Sequence, residues 1–406
     1  TNFHGCFFDL DYHKFKDYVD IISWDIYPRW HSNNVIDEAV KAGFTYDMCR
    51  SFLHKPFYIM ENTPNVANFE TPNTTKRPNM NILSSVQAVG HGADMIGYFQ
   101  WRQSRGGYEK THGAIVDHSG RDDTRIFKEI CNLGKLLAEN KEICGTSQKA
   151  EVAIIYDWET RWTLDNIVAF GGKNKKYLDT CLKHYAYFRR NSIDVDIIGQ
   201  DSDISKYKIV IAPMLYLIKH STIERFCEYT KNGGTLVATY ITGIVDGKDV
   251  FGIWAEETDS LKSGITVKVC ADEEEFEAVD YCEYIHSVTA DIIATFESDY
   301  FKGMPAALRN SYGKGTAYYI GFRDNGKYLN HFYDKITHEF EHYSPADGVF
   351  SSKRFSDDAE YLLLQNFNAE NTTVKIPPDY CAPDGRPMPE TFDIPGYGVK
   401  ILKNRK

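Results

Sequence analysis

The sequence predicts an α/β protein of several domains, and three observations support this. Before about residue 141, short apolar strands alternate with helices, the pattern of a parallel sheet covered by helices. A second strand and helix series opens with a nearly all-apolar strand at 152–156, typical of a strand buried on both faces. The final residues carry strand patterns interrupted by prolines, which indicates a small antiparallel β domain. The predicted units are residues 1–142, 143–340 and 341–406.

The first unit is predicted to be the C-terminal part of a TIM (β/α)8 barrel. Its predicted strands are 19–24, 57–60 and 95–101, and its predicted helices are 35–43, 80–92 and 121–138. These make three or four β/α units, whereas a closed eight-stranded barrel needs ~250 residues. Position 1 is Thr rather than Met, and the first residues look like a strand end that enters a loop. We therefore expect the chain to lack the N-terminal part of its barrel.

The second unit is predicted to be a doubly wound α/β domain. Its predicted strands are 152–156, 195–198, 207–212, 235–238 and 317–321, and its predicted helices are 174–191 and 221–232. Gly233 and Gly234 form a turn before a strand rather than a phosphate-binding loop, so no nucleotide is expected. The acidic run at 272–275 is expected to be the solvated start of a helix. In the third unit, strands are predicted at 361–366 and 398–402.

Composition disfavours several classes of partner. Lys and Arg total 46 and Asp and Glu total 57, giving a net charge of −11. The chain contains no run of Lys and Arg long enough to follow a phosphate backbone. Nucleic acid and anionic membranes are therefore poor candidates for partners. No window approaches the ~20 apolar residues of a membrane-spanning helix. The nine cysteines are odd in number and never spaced C-x-x-C, which argues against a disulfide framework and a zinc knuckle and favours reduced thiols in the cytoplasm.

Polar side chains follow the predicted barrel strands, where such barrels place their reactive groups. Glu61 comes directly after the second strand, so its carboxylate has little freedom and is a candidate nucleophile. The alternative is a surface glutamate at the start of a loop. Tyr27 follows the first strand, and its hydroxyl is placed to hydrogen-bond the Glu61 carboxylate.

A long polar loop follows the third predicted strand. It carries Arg102, Arg105, Glu109 and His112 around two glycines. Each charged residue alone would more often be structural, but together they predict recognition of a hydroxyl-rich ligand, with Glu109 and His112 as hydrogen-bond partners. Five aromatic residues lie near the same strand ends and belong either to the core or to a ligand-stacking wall: Trp24, Tyr27, Phe69, Phe99 and Trp101.

Four segments of the chain resemble the β-galactosidases of glycoside hydrolase family 42. They are Ile59-Met60-Glu61-Asn62-Thr63-Pro64, Lys76-Arg77-Pro78, residues 87–94 and, as the longest and most specific, residues 98–117. The resemblance covers the whole chain and is strongest before about residue 124. It implies a retaining β-galactosidase that forms a glycosyl-enzyme on Glu61. It also implies galactose contacts from Glu109, His112 and Phe99, with Phe69 at a wall position where the family usually carries Trp.

The resemblance also indicates what this chain is expected to lack. Retaining glycosidases use two carboxyl groups about 5 to 5.5 Å apart. In the family, the acid/base Glu follows an Asn on an earlier strand, and no Asn-Glu dipeptide precedes Glu61 here. The acid/base is therefore expected to be missing from this chain. The chemistry is expected to need no cofactor, no metal is assigned to these residues, and the family's structural zinc would be bound upstream of Thr1.

The resemblance further implies a second domain similar to glutamine amidotransferases but without their catalytic cysteine, used for homotrimer assembly, and a terminal β-sandwich. Two other functions stay open. One is a non-catalytic sugar-binding or assembly module, if these residues are the natural full product. The other is residual amidotransferase chemistry, although Cys181 and Cys227 fall within predicted helices rather than at a strand-to-helix elbow. The natural galactoside and its aglycone also stay open.

Overall fold

The computed structural model describes residues 2–31, 34–171, 175–243, 249–340 and 342–405. The first part of the chain forms a parallel sheet in the order β1-β2-β3-β4 within these residues. Its strands are β1 (Asn2–His4), β2 (Ser23–Asp25), β3 (Phe57–Glu61) and β4 (Ala93–Ile96). Its helices are α1 (Val35–Leu53), α2 (Met80–Gly90) and α3 (Arg125–Glu139), with a short 3-10 helix at Tyr12–Tyr18. The predicted alternation of strands and helices is therefore present.

The third predicted strand, at 95–101, is shorter than expected. β4 ends at Ile96, and the chain then turns across the end of β3, where Gly97 N donates a 2.7 Å hydrogen bond to Ile59 O. A Cβ at position 97 would lie 2.4 Å from Met60 O, so only glycine permits this approach. The polar loop that follows consequently starts earlier in the chain than the sequence indicated.

The second part of the chain contains a buried parallel sheet in the order β6-β5-β7-β8-β14. These strands are β5 (Val152–Ile155), β6 (Val195–Ile198), β7 (Ile209–Ala212), β8 (Thr235–Thr239) and β14 (Gly315–Ile320). The first three are buried along their full length, as expected for parallel strands covered on both faces. The helices are α4 (Trp158–Asn166), α5 (Tyr177–Arg190), α6 (His220–Lys231) and α7 (Lys327–Ile336). Asn174, where a helix was predicted to begin, lies outside the described residues.

An antiparallel extension of this sheet was not predicted. Beyond β14 the described strands continue in the order β13-β12-β10-β11-β15, and β9 also pairs with β11. They are β9 (Ile253–Ser260), β10 (Thr266–Ala271), β11 (Glu274–Ser287), β12 (Asp291–Phe296), β13 (Pro305–Tyr312) and β15 (Phe322–Asp324). The helix start expected at 272–275 was wrong. Asp272 and Glu273 form the turn between β10 and β11 with φ angles of 52° and 68°, and β11 begins at the next residue.

The last part of the chain is antiparallel, as predicted. The order is β16-β17-β20, with a separate pair β18 and β19. The strands are β16 (Val349–Phe355), β17 (Ala359–Asn366), β18 (Thr372–Lys375), β19 (Thr391–Ile394) and β20 (Val399–Arg405). Arg354 of β16 joins this part to the first, because its buried guanidinium donates to Val89 O at 2.7 Å and to Asp94 Oδ1 at 3.0 Å.

The predicted bounds of the three units, 1–142, 143–340 and 341–406, stay predictions, and residues 1, 341 and 406 lie outside the described part of the chain. No helix in the described part is both long and apolar enough to cross a membrane.

Candidate active site

The candidate site lies where β2, β3 and β4 end. The strands are parallel, so their carboxyl ends meet at one edge of the sheet. Asp25 ends β2 directly opposite Glu61, which ends β3. Burial raises the pKa of Asp25, and the charge of Glu61 raises it further, while Asn2 Nδ2 donates to Asp25 Oδ2 at 3.2 Å. Two carboxyl groups thus stand on adjacent strand ends.

Tyr27 and Glu61 make the hydrogen bond that the sequence suggested. The Tyr27 hydroxyl donates to Glu61 Oε2 at 2.7 Å, and the backbone N of Ile26 donates to Glu61 O at 2.9 Å. Burial raises the pKa of Tyr27, and its hydrogen bond to the Glu61 carboxylate raises it further. The phenol therefore stays protonated and serves as a donor that fixes the Glu61 side chain.

The loop after β4 brings His112 and Glu109 to the same edge. A short 3-10 helix, Tyr108–Thr111, places Glu109 Oε2 3.5 Å from His112 Nδ1. His112 is buried, and this burial lowers its pKa, which favours the neutral imidazole. Its Nδ1 lies 2.9 Å from Asn68 Oδ1. Because an amide oxygen only accepts, this contact places the imidazole proton on Nδ1 and makes Nε2 an acceptor, which is buried without a hydrogen-bond partner in the described part of the chain.

Aromatic rings surround His112. The ring centroid of Phe99 lies 5.0 Å from that of His112, and Tyr27 lies 5.9 Å away. Phe69 packs edge-on against Tyr27 at 5.2 Å and leaves half of its own surface exposed. A ring that is packed on one side and open on the other is suited to contact a ligand.

The other aromatic and basic candidates lie elsewhere. Trp24 is wholly buried in the core, whereas Trp101 is 63% exposed and packs against Phe127 of α3. Arg102 and Arg105 are exposed along the loop. The structure therefore brings together six of the residues singled out from the sequence: Tyr27, Glu61, Phe69, Phe99, Glu109 and His112.

Sequence reasoning assigned no role to three residues at this edge. Asp25 comes directly after the predicted strand 19–24, and its position as a polar residue between Trp24 and Tyr27 could have indicated it. Asn68 and Lys76 lie in the long segment between β3 and α2, where no periodic pattern predicts which side chains turn inward. Within the described residues, no group of three or more His, Cys, Asp and Glu side chains is placed to hold a metal ion.

Comparison with known families gives two matches along the chain. The β-galactosidase family model matches residues 1–140, and the β-galactosidase trimerisation domain model matches residues 150–342. The chain is similar to β-galactosidase Pbg of Clostridium perfringens, with 40% identity over all of this chain and 63% of that protein. It is also similar to β-galactosidase BglY of Alicyclobacillus acidocaldarius, with 38% identity over 99% of this chain and 63% of that protein.

A solved structure has the same fold. It is a catalytic mutant of a GH42 β-galactosidase from G. stearothermophilus, which superposes with a TM-score of 0.96 at 38% identity. The match covers 100% of this chain and 63% of the other. The predicted fold class, part of a TIM barrel followed by further α/β and β domains, is thereby confirmed. The chain spans just under two thirds of the length of these relatives.

Proposed function

The chain belongs to the GH42 β-galactosidase family, and we propose that it carries the nucleophile and part of the galactose pocket of a retaining β-galactosidase. The observation that supports this most is the Glu61 carboxylate at the end of β3, held by the Tyr27 hydroxyl at 2.7 Å. A carboxylate fixed in this way presents a constant geometry to a substrate, which is what covalent catalysis requires.

The proposed reaction proceeds in two steps. Tyr27 hydrogen-bonds Glu61 Oε2, so Oε1 is proposed to attack the anomeric carbon of a terminal β-D-galactose residue. The bond to the aglycone oxygen breaks as an acid/base carboxyl group protonates that oxygen, and a galactosyl ester of Glu61 forms. The same carboxyl group then takes a proton from water, which attacks the anomeric carbon and releases galactose and the free Glu61 carboxylate.

The acid/base carboxyl group is not assigned to any described residue. We place it in the part of the relatives that this chain does not span. Asp25 is a poor candidate for the acid/base group, because it ends the strand next to Glu61 and its Oδ2 already accepts a hydrogen bond from Asn2. No cofactor enters the proposed steps, since carboxyl groups and water account for every bond that forms and breaks. Any structural zinc would belong to the same unspanned part.

Glu109 and His112 are proposed to bind galactose hydroxyls. The Glu109 carboxylate accepts only, and Nε2 of the neutral His112 imidazole accepts as well. Two acceptors on one side of a pocket fit a ligand that presents several hydroxyl donors. Phe99, Phe69 and Tyr27 supply apolar ring surface beside them, which suits the C–H face of a sugar ring.

The proposal extends to assembly and location. The match of residues 150–342 to a trimerisation domain supports a homotrimer. None of the nine cysteines, all of which lie in the described part of the chain, forms a disulfide, which supports a reducing compartment and hence the cytoplasm. Sedimentation equilibrium of the purified protein tests the homotrimer, and a monomer at micromolar concentration would contradict it.

The test of the function is turnover of an aryl β-galactoside by protein made from the complete reading frame that encodes these residues. Glu61→Gln should abolish turnover, while Glu139→Gln, at an exposed position on α3, should leave it unchanged. Equal activity in the Glu61 variant would reject the assignment. Galactose binding without any turnover in the unaltered protein would instead support a non-catalytic sugar-binding module.

A further inference from the structure

Lys76 is a buried lysine directly behind the candidate active site. Only 4% of its surface is exposed. Its Nζ donates to three oxygens: Asn62 Oδ1 at 3.1 Å, Asn81 Oδ1 at 3.2 Å and the backbone carbonyl of Thr63. An ammonium group has three N–H bonds and no acceptor, so these three contacts use its full hydrogen-bonding capacity.

The charge of Lys76 has no direct counter-ion. In the described part of the chain Lys76 forms no ion pair, and Glu129 of α3 pairs with Arg125 at 3.4 Å instead. The charged groups around it act from further away: Glu129 of α3 and Glu70 favour the ammonium form, while the Lys76 charge in turn lowers the pKa of His112. Arg125 donates to the Lys76 backbone carbonyl at 3.0 Å. Burial outweighs the acidic neighbours and lowers the pKa of Lys76 to about 7.

Two of the three oxygens that Lys76 binds belong to the turn that follows Glu61, and the third, Asn81 Oδ1, lies on α2. Asn62 and Thr63 are the next two residues along the chain, and both are buried. The Asn62 carbonyl accepts from Phe99 N at 2.9 Å, which connects the turn to the loop after β4. The Val66 carbonyl, near the end of the same turn, accepts from Gly113 N at 2.8 Å, directly after His112. Residues 61–66 are therefore hydrogen-bonded to Tyr27, to Phe99 and to the residue after His112.

Lys76 also determines how two amides are oriented. Since Nζ can only donate, both Asn62 and Asn81 must turn their oxygens towards it. The Asn81 amide nitrogen then donates to Pro64 O at 2.8 Å, and the Asn81 backbone N donates to Glu129 Oε1 at 2.8 Å. The turn after Glu61 is thus attached to α2 through the ammonium group and through the Asn81 amide, and Asn81 in turn is bonded to Glu129 of α3. An apolar side chain at position 76 would leave three buried oxygens facing it without donors.

We propose that Lys76 is a positioning residue for the nucleophile: its ammonium group fixes the turn at 61–66 and thereby the placement of Glu61, Phe99 and His112 against the sugar. This inference rests on the proposed function. Lys76 does not touch the substrate in this arrangement and acts through the nucleophile, so its loss should lower kcat more than it weakens substrate binding.

The first test compares Lys76→Met with a matched control, Lys175→Met. Lys175 is also a buried lysine, 1% exposed, but lies in the second part of the chain and donates to Ile167 O. We expect Lys76→Met to lower kcat for an aryl β-galactoside on the order of 10- to 100-fold, since small misplacements of reacting groups have effects of that size. KM should change less than kcat, and Lys175→Met should keep the kcat of the folded protein.

The second test is chemical rescue. In Lys76→Ala, added propylammonium ions can restore the missing ammonium group, whereas propan-1-ol has the same length but no charge and one donor. We expect propylammonium to raise kcat several-fold in a saturable manner and propan-1-ol to leave it unchanged. An unchanged kcat in Lys76→Met, or rescue by both additives equally, would overturn the inference.

Should neither variant fold, the pH dependence of kcat in the unaltered protein tests the role of Lys76. Burial lowers the pKa of folded Lys76 from the ordinary lysine value of 10.5 to about 7, so deprotonation near pH 7 removes a donor from the folded protein. The unfolded chain keeps its proton until about pH 10.5, so the free energy of unfolding does not fall between these values. We expect kcat to fall as pH rises through about 7 while the unfolding temperature does not. A flat or rising kcat would contradict the role of Lys76. Normal turnover by Glu61→Gln, or no turnover by the unaltered protein, would reject the proposed function instead.

Discussion

The Tyr27 hydroxyl and the Glu61 carboxylate meet at 2.7 Å across the ends of two adjacent strands. The contact depends on the pairing of β2 with β3, which places Asp25 opposite Glu61. Tyr27 follows Asp25 by two residues and turns back towards Glu61. A second carboxyl group beside Glu61 would repel its charge, and the phenol hydrogen bond offsets that repulsion. This pair is the structural basis of the proposed nucleophile.

Tyr27→Phe should lower kcat roughly 10-fold or more, because a hydrogen bond to a charged group contributes about 1.5 to 3 kcal/mol. The ring and its packing against Phe69 remain, so KM should change less than kcat. Tyr18→Phe is the control, because Tyr18 is 85% exposed. Kinetics on an aryl β-galactoside give both constants. Equal kcat in the two variants would show that the hydroxyl does not position Glu61.

Glu109→Gln and His112→Asn should each lower kcat/KM on the order of 10- to 100-fold. Hydrogen bonds to sugar hydroxyls strengthen in the oxocarbenium-like transition state of glycoside hydrolysis, so their loss affects turnover as well as binding. His338→Asn, at an exposed position, serves as the control. Unchanged kcat/KM in both pocket variants would mean that the galactose pocket lies elsewhere.

Phe69→Trp should lower KM for galactosides about 2- to 5-fold, because the indole adds stacking area and an N–H donor at the open face of the pocket. Phe69→Ala should raise KM. The Phe69 ring packs on Tyr27 at 5.2 Å, so the alanine variant also tests whether this contact supports the wall. A KM that responds to neither change would place Phe69 outside the pocket.

His184 should make stability depend on pH in the acid range. Burial lowers its pKa to about 3, and its Nδ1 lies 2.5 Å from the Tyr333 hydroxyl. Between pH 6.5 and 3 the unfolded chain binds a proton at His184 and the folded chain does not, so the free energy of unfolding falls as pH falls, by up to roughly 4 kcal/mol.

Urea denaturation between pH 7 and pH 4 measures this dependence. His184→Gln keeps a hydrogen-bonding group without a titratable one, so its free energy of unfolding should decrease less than that of the unaltered protein over this range. His338→Gln, at an exposed histidine, should follow the unaltered protein. Parallel curves for all three would show that His184 does not carry the acid sensitivity.

Much of the site followed from the sequence, because strand ends are local features. An apolar run followed by Glu61, and another followed by Tyr27, indicated two neighbouring strand ends, and the hydrogen bond between them is present in the structure. The polar loop could likewise be predicted from its glycines and charges. The path of this loop could not be predicted. The chain turns at Gly97, directly after Ile96, because Gly97 packs closely against β3, and no periodic pattern in the sequence indicates such a contact.

The antiparallel strands β9 to β13 were missed for a physical reason. Exposed positions interrupt the alternation of apolar and polar residues along these strands. In β9, for example, Trp254 is half exposed and acidic residues follow it. The run at 272–275 has the composition of a helix start, but Asp272 and Glu273 adopt positive φ angles that a hairpin turn requires. Lys76 lies in one of the segments that carry the family resemblance, but its role could not be predicted from the sequence, because the three oxygens it binds come together only when the turn after β3 packs on α2.

The most direct test of the central claim is covalent trapping of the nucleophile. A 2-deoxy-2-fluoro-β-D-galactoside with a dinitrophenyl leaving group needs little protonation of the aglycone, and the fluorine slows hydrolysis of the ester that forms. Protein from the complete reading frame, treated with this reagent, digested and mapped by mass spectrometry, should carry the fluorogalactosyl group on Glu61, and Glu61→Gln should carry none. Labelling at another carboxylate, or equal labelling of the Glu61 variant, would contradict the account.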